Sequence, residues 1–490
     1  MSTLTMKYPA IQNFIDGNFT DEASLNFVEV ISPIDGSLLS TVPLATRETL
    51  DKAVEAATSA FPGWSKTPIK ERVQIFYRYR ELLVKHSDEL SHLISEENGK
   101  TYGEAKAEID KAIELTEFAC SLPQITAGEG LEVSKGVTCS AEYVPLGVVA
   151  SIVPFNFPSM VPHWTVPNAI VLGNTMIIKP SEQVPLSLAR VAGLLKEAGL
   201  PDGVFNIVNG TKEIVEAICD HPGIEAISFV GSTKVAKLVY QRGTANLKRV
   251  LALGGAKNHL IVLEDAHAEM AATNIVASVT GCAGQRCMAA SVMLAVGDVD
   301  HIVNRIVQEA GKGVCGSNLG AIINKDSKNR IERYITEAEQ QGAAILVDGR
   351  NTVVKGKEEG FYVGPTIIDH VKPEMAVAQE EIFGPVLCII RVSNVEEAIA
   401  VEGANRYGNA VGVFTQSGAA ARHIAQSVSA GMVGINIGVP VPREPFSFGG
   451  WNESKFGALD ITGKSSIEFW TKLKKTTTKW NPEAGRTWMS

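Results

Sequence analysis

The sequence lacks most of the features that would place it at a glance. Its seven cysteines are an odd number scattered from position 120 to 388, which is not a disulfide framework. No apolar run approaches the ~18–20 residues of a membrane span. The start, MSTLTMKYPA, lacks the charged-then-apolar profile of a signal peptide. There is no basic excess: 45 Lys and Arg stand against 54 Asp and Glu, a formal charge of −9. That balance speaks against nucleic acid or an anionic membrane as partner. There is no GxGxxG, no GxxxxGK[ST] and no HExxH, so the usual dinucleotide, P-loop and zinc-protease fingerprints are missing. The nine histidines form no triad signature, and no repeat or low-complexity tract occurs. The expectation left standing is a cytoplasmic, multi-domain α/β protein in a reducing compartment.

What is present supports a large core. Hydrophobic residues make up 45% and charged residues 20% of 490. At about 150 residues per domain the length allows around three domains. The first ~45 residues read as short strands and turns. Leu50, Val54, Ala57 and Phe61 then fall at helix spacing. Thr67-Pro68 reads as an N-cap and N1 proline opening a second helix, and a third stops at Asn98-Gly99. From residue 147 the pattern changes. LGVVASIV, NTMIIKP, VFNIVNG, EAISFVG and RVLALGG are short apolar runs separated by helix-like stretches. That alternation implies a parallel sheet with helices on both faces, whose ligands sit beyond the carboxyl ends of the strands. A second alternating region, 288–437, offers SVMLAVG, AAILVDG, VLCIIRV, AVGVFTQ and MVGINIG. The Pro- and Gly-rich segment 439–457 reads as a long loop, and the Thr- and Lys-rich tail 471–480 as a strand.

Several strand ends carry candidate chemistry. Cys287 lies in GCAGQRCMAAS, directly after Arg286. A neighbouring cation lowers a thiol pKa and makes a nucleophile. Asn156 in VPFNFP offers an amide donor to a developing oxyanion. Lys179 and Glu182 in IIKPSEQVP suit the hydroxyls of an adenosine ribose, and the carboxylate disfavours a 2′-phosphate, hence NAD over NADP. Gly231-Ser232 opens a helix whose N–H groups suit a pyrophosphate. Glu381 in EEIFGPV suits a ribose. Taken singly, each segment also fits an ordinary turn, a solvated pair or a buried structural cysteine. Cys282 and His163 read as packing residues.

Taken together, PFNFP (154–158), IIKPSE (177–182), FVGST (229–233), GQRC (284–287) and EIFGPV (381–386) resemble the aldehyde dehydrogenase superfamily in order and separation. Within it, PFNFPSMVPHWTVPNAIVLGNT, GAKNH, GCAGQRCMA and PVP…FSFGGW are most similar to the CoA-acylating semialdehyde branch. The resemblance implies an α/β fold with a Rossmann-type NAD-binding domain (1–122 and 145–255), a catalytic domain (256–448) and a small oligomerisation arm (123–144 and 466–485). It implies a homo-oligomer, dimer or tetramer. It also implies Cys287 as nucleophile and Asn156 as oxyanion donor. Cofactor contacts are implied at Val153, Phe155, Lys179, Glu182, Gln183, Gly231, Ser232, Gly254, Glu381 and Phe383.

The general-base glutamate common in the superfamily is missing. The segment here is Leu251-Ala252-Leu253-Gly254-Gly255-Ala256-Lys257, so that position is Leu253 aligned on the lysine or Ala252 aligned on the glycines. Neither residue can take a proton. An acyl-enzyme without a base favours a thiol acceptor over water, which fits CoA. For a malonate-type substrate the resemblance implies CO2 loss before CoA release. It also implies two arginines on the substrate carboxylate. Arg286 matches one, and Lys111 stands at the other, keeping the charge without the bidentate fork. The expected activity is therefore NAD-dependent oxidation of a small anionic aldehyde with acyl transfer to CoA. Two alternatives remain: a hydrolytic dehydrogenase of a longer, sulfonated or phosphorylated aldehyde, and a non-catalytic protein keeping the fold.

Overall fold

The computed structural model describes residues 6–20 and 26–480. Each apolar run named above contains a strand. The first five form the parallel centre of an eight-stranded sheet, in the order Phe205–Ile207, Thr175–Lys179, Val148–Ile152, Ala226–Val230, Arg249–Leu253. The chain begins at Val148–Ile152, builds outward to one side, then crosses to the other. The strand order thus reverses between Val148–Ile152 and Ala226–Val230, and such a switch point opens a crevice at the carboxyl edge. Antiparallel edges complete the sheet: Asn13–Ile15 with Asn18–Thr20 on one side, Lys455–Phe456 on the other.

The second region forms a seven-stranded sheet in the order Ala344–Val347, Thr366–Asp369, Val386–Val392, Ala290–Val296, Asn258–Val262, Ala410–Phe414, Met432–Ile435. All neighbours pair parallel except the first two. Sequence periodicity misses Asn258–Val262 and Thr366–Asp369. Both are buried along their whole length, so neither shows the alternation that marks a one-sided strand. The loop 439–457 holds two strands of two residues, and Lys455–Phe456 carries the chain back to the edge of the first sheet. The tail strand Thr471–Lys479 pairs antiparallel with Val137–Pro145, which pairs with Glu129–Ser134. This three-stranded sheet is largely exposed on both faces. Residues 481–485 of the expected arm lie outside the described residues. No helix among the described residues is long and apolar enough to cross a membrane.

The helix expectation at Thr67 needs correction. Arg47–Lys66 ends there and Ile69–Lys85 begins after Pro68. Pro68 drives Thr67 to an extended conformation (φ −63°, ψ 127°), and the Thr67 hydroxyl turns back to donate to the Gly63 carbonyl. It closes the first helix and does not cap the second. The helix Ser87–Asn98 stops at left-handed Gly99 (φ 86°), as read from the sequence.

One buried amide joins the pieces. Asn174, fully buried, accepts from the Leu146 and Gly147 N–H groups and donates to the Ala169 and Trp470 carbonyls. It thus ties the root of the exposed arm to the first sheet and to the end of the last helix. Asn174→Ala would take this partner from the Leu146 and Gly147 N–H groups and the Trp470 carbonyl, while the Ala169 carbonyl keeps the backbone N–H of residue 174. We expect a loss of about 2–4 kcal/mol, read as a lower denaturant midpoint. A midpoint unchanged from wild type would contradict this role.

Candidate functional site

The site is built where the two large sheets meet end to end. The first presents carboxyl ends: Val153 to Asn156 after one strand, Lys179 closing the next, Gly231-Ser232 and Gly254 after two more. The second presents amino ends. Cys287 precedes the strand Ala290–Val296, Glu381 precedes Val386–Val392, and Asn258 opens Asn258–Val262.

The cofactor candidates form a continuous run. The Val153 N–H donates to the Lys179 carbonyl, and Lys179 Nζ lies 3.1 Å from Glu182 Oε2. Gln183 accepts from the Asn324 amide at 2.6 Å. The Gly231 N–H donates to the Leu253 carbonyl, and Gly255 N–H to Thr233 Oγ1 at 2.9 Å. Glu381 accepts from the Ala256 N–H at 3.2 Å, and its other oxygen would lie 2.6 Å from a Cβ on Gly255, so a larger residue there would displace it. The Phe155 and Phe383 rings meet edge to face at 5.8 Å. Ser232 caps the helix Thr233–Ala245 without a side-chain bond, so its first-turn N–H groups stay open to an anion. A switch-point crevice, an open helix N-terminus and a lysine–glutamate pair at a strand end are a donor set that fits a dinucleotide.

The loop that carries Cys287, the candidate nucleophile, is held from several sides. Cys282 and Ala283 sit in left-handed backbone (φ 50° and 52°), followed by Gly284 at φ 71°. Only glycine fits at 284, where a Cβ would come within 2.1 Å of the Gly384 carbonyl. The Cys287 carbonyl accepts from the side-chain amides of Asn258 (2.7 Å) and Asn409 (2.9 Å). Asn156, buried, donates from its amide to the Gln285 carbonyl at 2.9 Å, which brings the oxyanion candidate onto this loop. The Cys282 N–H donates to Glu104 at 2.5 Å. Glu104 also closes the capping box of the helix Tyr102–Ile125 with Thr101. A turn further along, Glu108 accepts from the Ser159 and Met160 N–H groups and pairs with Lys100 at 2.5 Å. Lys100 Nζ in turn donates to the Asn156 carbonyl at 2.9 Å.

Lys100, Glu104, Glu108, Asn258 and Asn409 were not read as site residues from the sequence. The Thr-x-x-Glu capping box at 101–104 was the available signal for Glu104; the others act through partners far away in sequence.

The charges correct one expectation. Burial pushes the Cys287 thiol up to about 12, Glu381 adds to this, and Arg286 only partly opposes it. Adjacency to arginine therefore does not make this a resting thiolate. The Arg286 guanidinium instead donates to the Ala277 and Ser278 carbonyls at 2.6 and 2.8 Å. Burial raises Glu381 to about 7, with Ala256 and Lys257 pulling the other way. Lys111 pairs with Glu444 at 2.7 Å and Glu114 at 3.1 Å. His163 is a packing residue: its Nδ1 donates to the Ser159 carbonyl and its Nε2 accepts from Tyr79.

The family model for the aldehyde dehydrogenase family matches residues 19–476. The chain belongs to the aldehyde dehydrogenase family. It is an aldehyde-oxidising enzyme. Malonate-semialdehyde dehydrogenase 2 of Bacillus cereus is 44% identical over 479 residues, covering 96% of this chain and 98% of the relative. Malonate-semialdehyde dehydrogenase 1 of Geobacillus thermodenitrificans is 43% identical, covering 97% of this chain and 100% of the relative. Among solved structures, methylmalonate-semialdehyde dehydrogenase from Oceanimonas doudoroffii superposes with a TM-score of 0.96 at 44% identity, over 98% of this chain and 100% of the other. A Sinorhizobium meliloti protein described as a methylmalonate-semialdehyde dehydrogenase, solved in complex with NAD, gives 0.95 at 39%, over 97% and 99%.

The position of the family's usual glutamate can now be read from the strand Arg249–Leu253. Ala252 packs with the cluster on one face of the sheet, Leu253 with the cluster that includes Met288 and receives Cys287. Neither position carries a carboxylate, and it is Leu253 that shares a cluster with the candidate nucleophile.

The thiol offers a test of these electrostatics. A neutral side chain at 381 removes a negative charge that opposes the thiolate, so the Cys287 pKa falls. Glu381→Gln should raise the alkylation rate of Cys287 by iodoacetamide at pH 8 by roughly threefold. An unchanged or slower rate would show that Glu381 does not bear on the sulfur.

Proposed function

We propose that this enzyme oxidises malonate or methylmalonate semialdehyde with NAD and passes the acyl group from Cys287 to CoA. The observation that carries the reading is Leu253 on the nucleophile's side of the sheet, where hydrolytic relatives are expected to hold a carboxylate. The malonate-semialdehyde and methylmalonate-semialdehyde dehydrogenase names of similar proteins support the substrate.

Cys287 gives up its proton and its sulfur adds to the aldehyde carbonyl. The Asn156 amide and the loop's own N–H groups stabilise the oxyanion that forms. Collapse of that adduct releases a hydride and leaves a thioester on Cys287. NAD, when bound, supplies the hydride acceptor. Lys179, Glu182, Gln183, Gly231, Ser232 and Gly254 would hold its adenosine and pyrophosphate. Glu381, with Phe155 and Phe383, would hold the nicotinamide riboside, and Val153 would line the same wall. Leu253 activates no water, so the thioester waits for a nucleophile that brings its own reactivity, and the CoA thiol does. Arg286 is the expected partner of the substrate carboxylate, and its Nε is buried without a partner.

On this reading, 1–122 with 145–255 is the cofactor domain, 256–448 the catalytic domain, and 123–144 with 466–485 an oligomerisation arm. Exposed Leu131, Val133 and Leu473 on the three-stranded sheet support a homo-oligomer.

The test is NADH formation from malonate semialdehyde with and without CoA, with the product identified. An acyl-CoA formed only when CoA is present, and loss of turnover to background in Cys287→Ala, are the expected results. Full-rate release of free acid without CoA would overturn the acylating step. It would point to Glu381, whose charge bears on the Cys287 sulfur, as the base for water.

A further inference from the structure

Glu104, Glu108 and Lys111 stand at i, i+4 and i+7 on the helix Tyr102–Ile125 and therefore share one face. The first two reach the nucleophile loop and the Asn156 segment, as described above. Lys111 continues the row and meets Glu444, which arrives on the 439–457 loop. That loop is part of the same wall. Val439, five residues before Glu444, packs in one cluster with Cys287, Phe157 and Met160. Phe448, four residues after it, packs its ring 4.6 Å from that of Trp164. The segments on either side of Glu444 thus pack against the same apolar cluster as Cys287, and the Lys111–Glu444 pair lies between them and the helix face that carries Glu104 and Glu108.

Its charge balance runs against simple anion binding. Lys111 Nζ is 2.7 Å from Glu444 and 3.1 Å from Glu114, and the Glu444 side chain, 11% exposed, is the most enclosed of the three. Two carboxylates on one ammonium leave the group net negative. A substrate carboxylate approaching Lys111 would have to displace Glu444 or sit beside it, and in a poorly screened cleft either is costly.

We propose that Glu444 is a specificity-determining residue. By holding Lys111 in an ion pair it cancels the second cation that would otherwise bind the carboxylate of an acidic aldehyde. Of the two candidate cations, Arg286 is then the one left to hold that carboxylate. This rests on the proposed reading of the site as one for small acidic aldehydes. Its consequence is a weaker preference for acidic over uncharged aldehydes than a free Lys111 would give.

Two readouts test it. Malonate carries the carboxylates without the aldehyde, so its protection of Cys287 against iodoacetamide reports anion binding without turnover. Glu444→Gln should lower the half-protecting malonate concentration about tenfold. Lys111→Gln in that background should abolish the gain. Glu444→Asp, which keeps the charge, should stay close to wild type and controls for the loop's packing. The ratio of kcat/KM for malonate semialdehyde over propanal should rise in parallel, through KM for the acid. Malonate protection that is unchanged or absent in Glu444→Gln, or a gain that survives loss of Lys111, overturns the proposal. Absence of NADH formation from malonate semialdehyde would instead count against the proposed function, since malonate protection does not depend on turnover.

Discussion

The active-site geometry depends on a buried ion pair that takes no part in the chemistry. Lys100 and Glu108 face each other at 2.5 Å with side chains 1% and 0% exposed. Such pairs contribute little net stability, because desolvation offsets the attraction, but removing one partner strands the other at a cost of about 3–5 kcal/mol. Here the remaining valences are also used. Glu108 accepts two N–H groups at the start of the buried helix Met160–Val171, and Lys100 holds the Asn156 carbonyl and sits 4.2 Å over the Phe157 ring. Burial, the largest single effect, works against the Lys100 charge, but Glu108, Cys282 and Glu104 together outweigh it and the net shift is upward. The outcome is geometric. The Asn156 segment is locked to the helix that carries Glu104, and Glu104 is bonded to the nucleophile loop. The proposed oxyanion donor, Asn156, and the proposed nucleophile, Cys287, are thereby set against each other through one helix.

The same burial that makes this framework rigid sets the resting state of Cys287. An apolar cluster and a nearby carboxylate oppose the thiolate more strongly than Arg286 favours it. Sequence adjacency is a poor guide here because a side chain can turn away from its neighbour. Arg286 does so, spending its guanidinium on the end of the helix Ala268–Thr280. Carbonyls at a helix end attract a cation, and the arginine buttresses the loop as much as it serves the thiol.

The sequence made some of this readable and hid the rest for definable reasons. The ten strands named from apolar runs are present because each run is bounded by residues that end strands. Asn258–Val262 and Thr366–Asp369 were invisible because burial on both faces erases periodicity. Candidate site residues at strand ends were legible, since a parallel sheet gathers its carboxyl ends along one edge. That explains how Val153, Lys179, Gly231 and Gly254, distant in sequence, come into one run. The family resemblance added Val153, Gly254 and Phe383, whereas Cys287 and Glu381 were read from their own segments although they lie at the amino ends of the other sheet, where the edge rule gives no guidance. Lys100 and Glu108 were not legible. A lysine and a glutamate eight apart on either side of a helix start look like solvated surface charges, and only the tertiary structure removes the water.

Strand alternation also bears on the acyl acceptor. Sequence alignment left two positions for the lost glutamate, Ala252 and Leu253, with equal claim. In a strand, neighbours point to opposite faces, so only one of them can address Cys287. Leu253 packs with the cluster that receives the nucleophile, and Ala252 lies beneath the other layer of helices. A leucine on the nucleophile's own face adds apolar bulk and brings no acceptor for a proton. On the proposed function, a preference for thiol over water would rest on a side chain that both omits a base and helps exclude the molecule a base would activate.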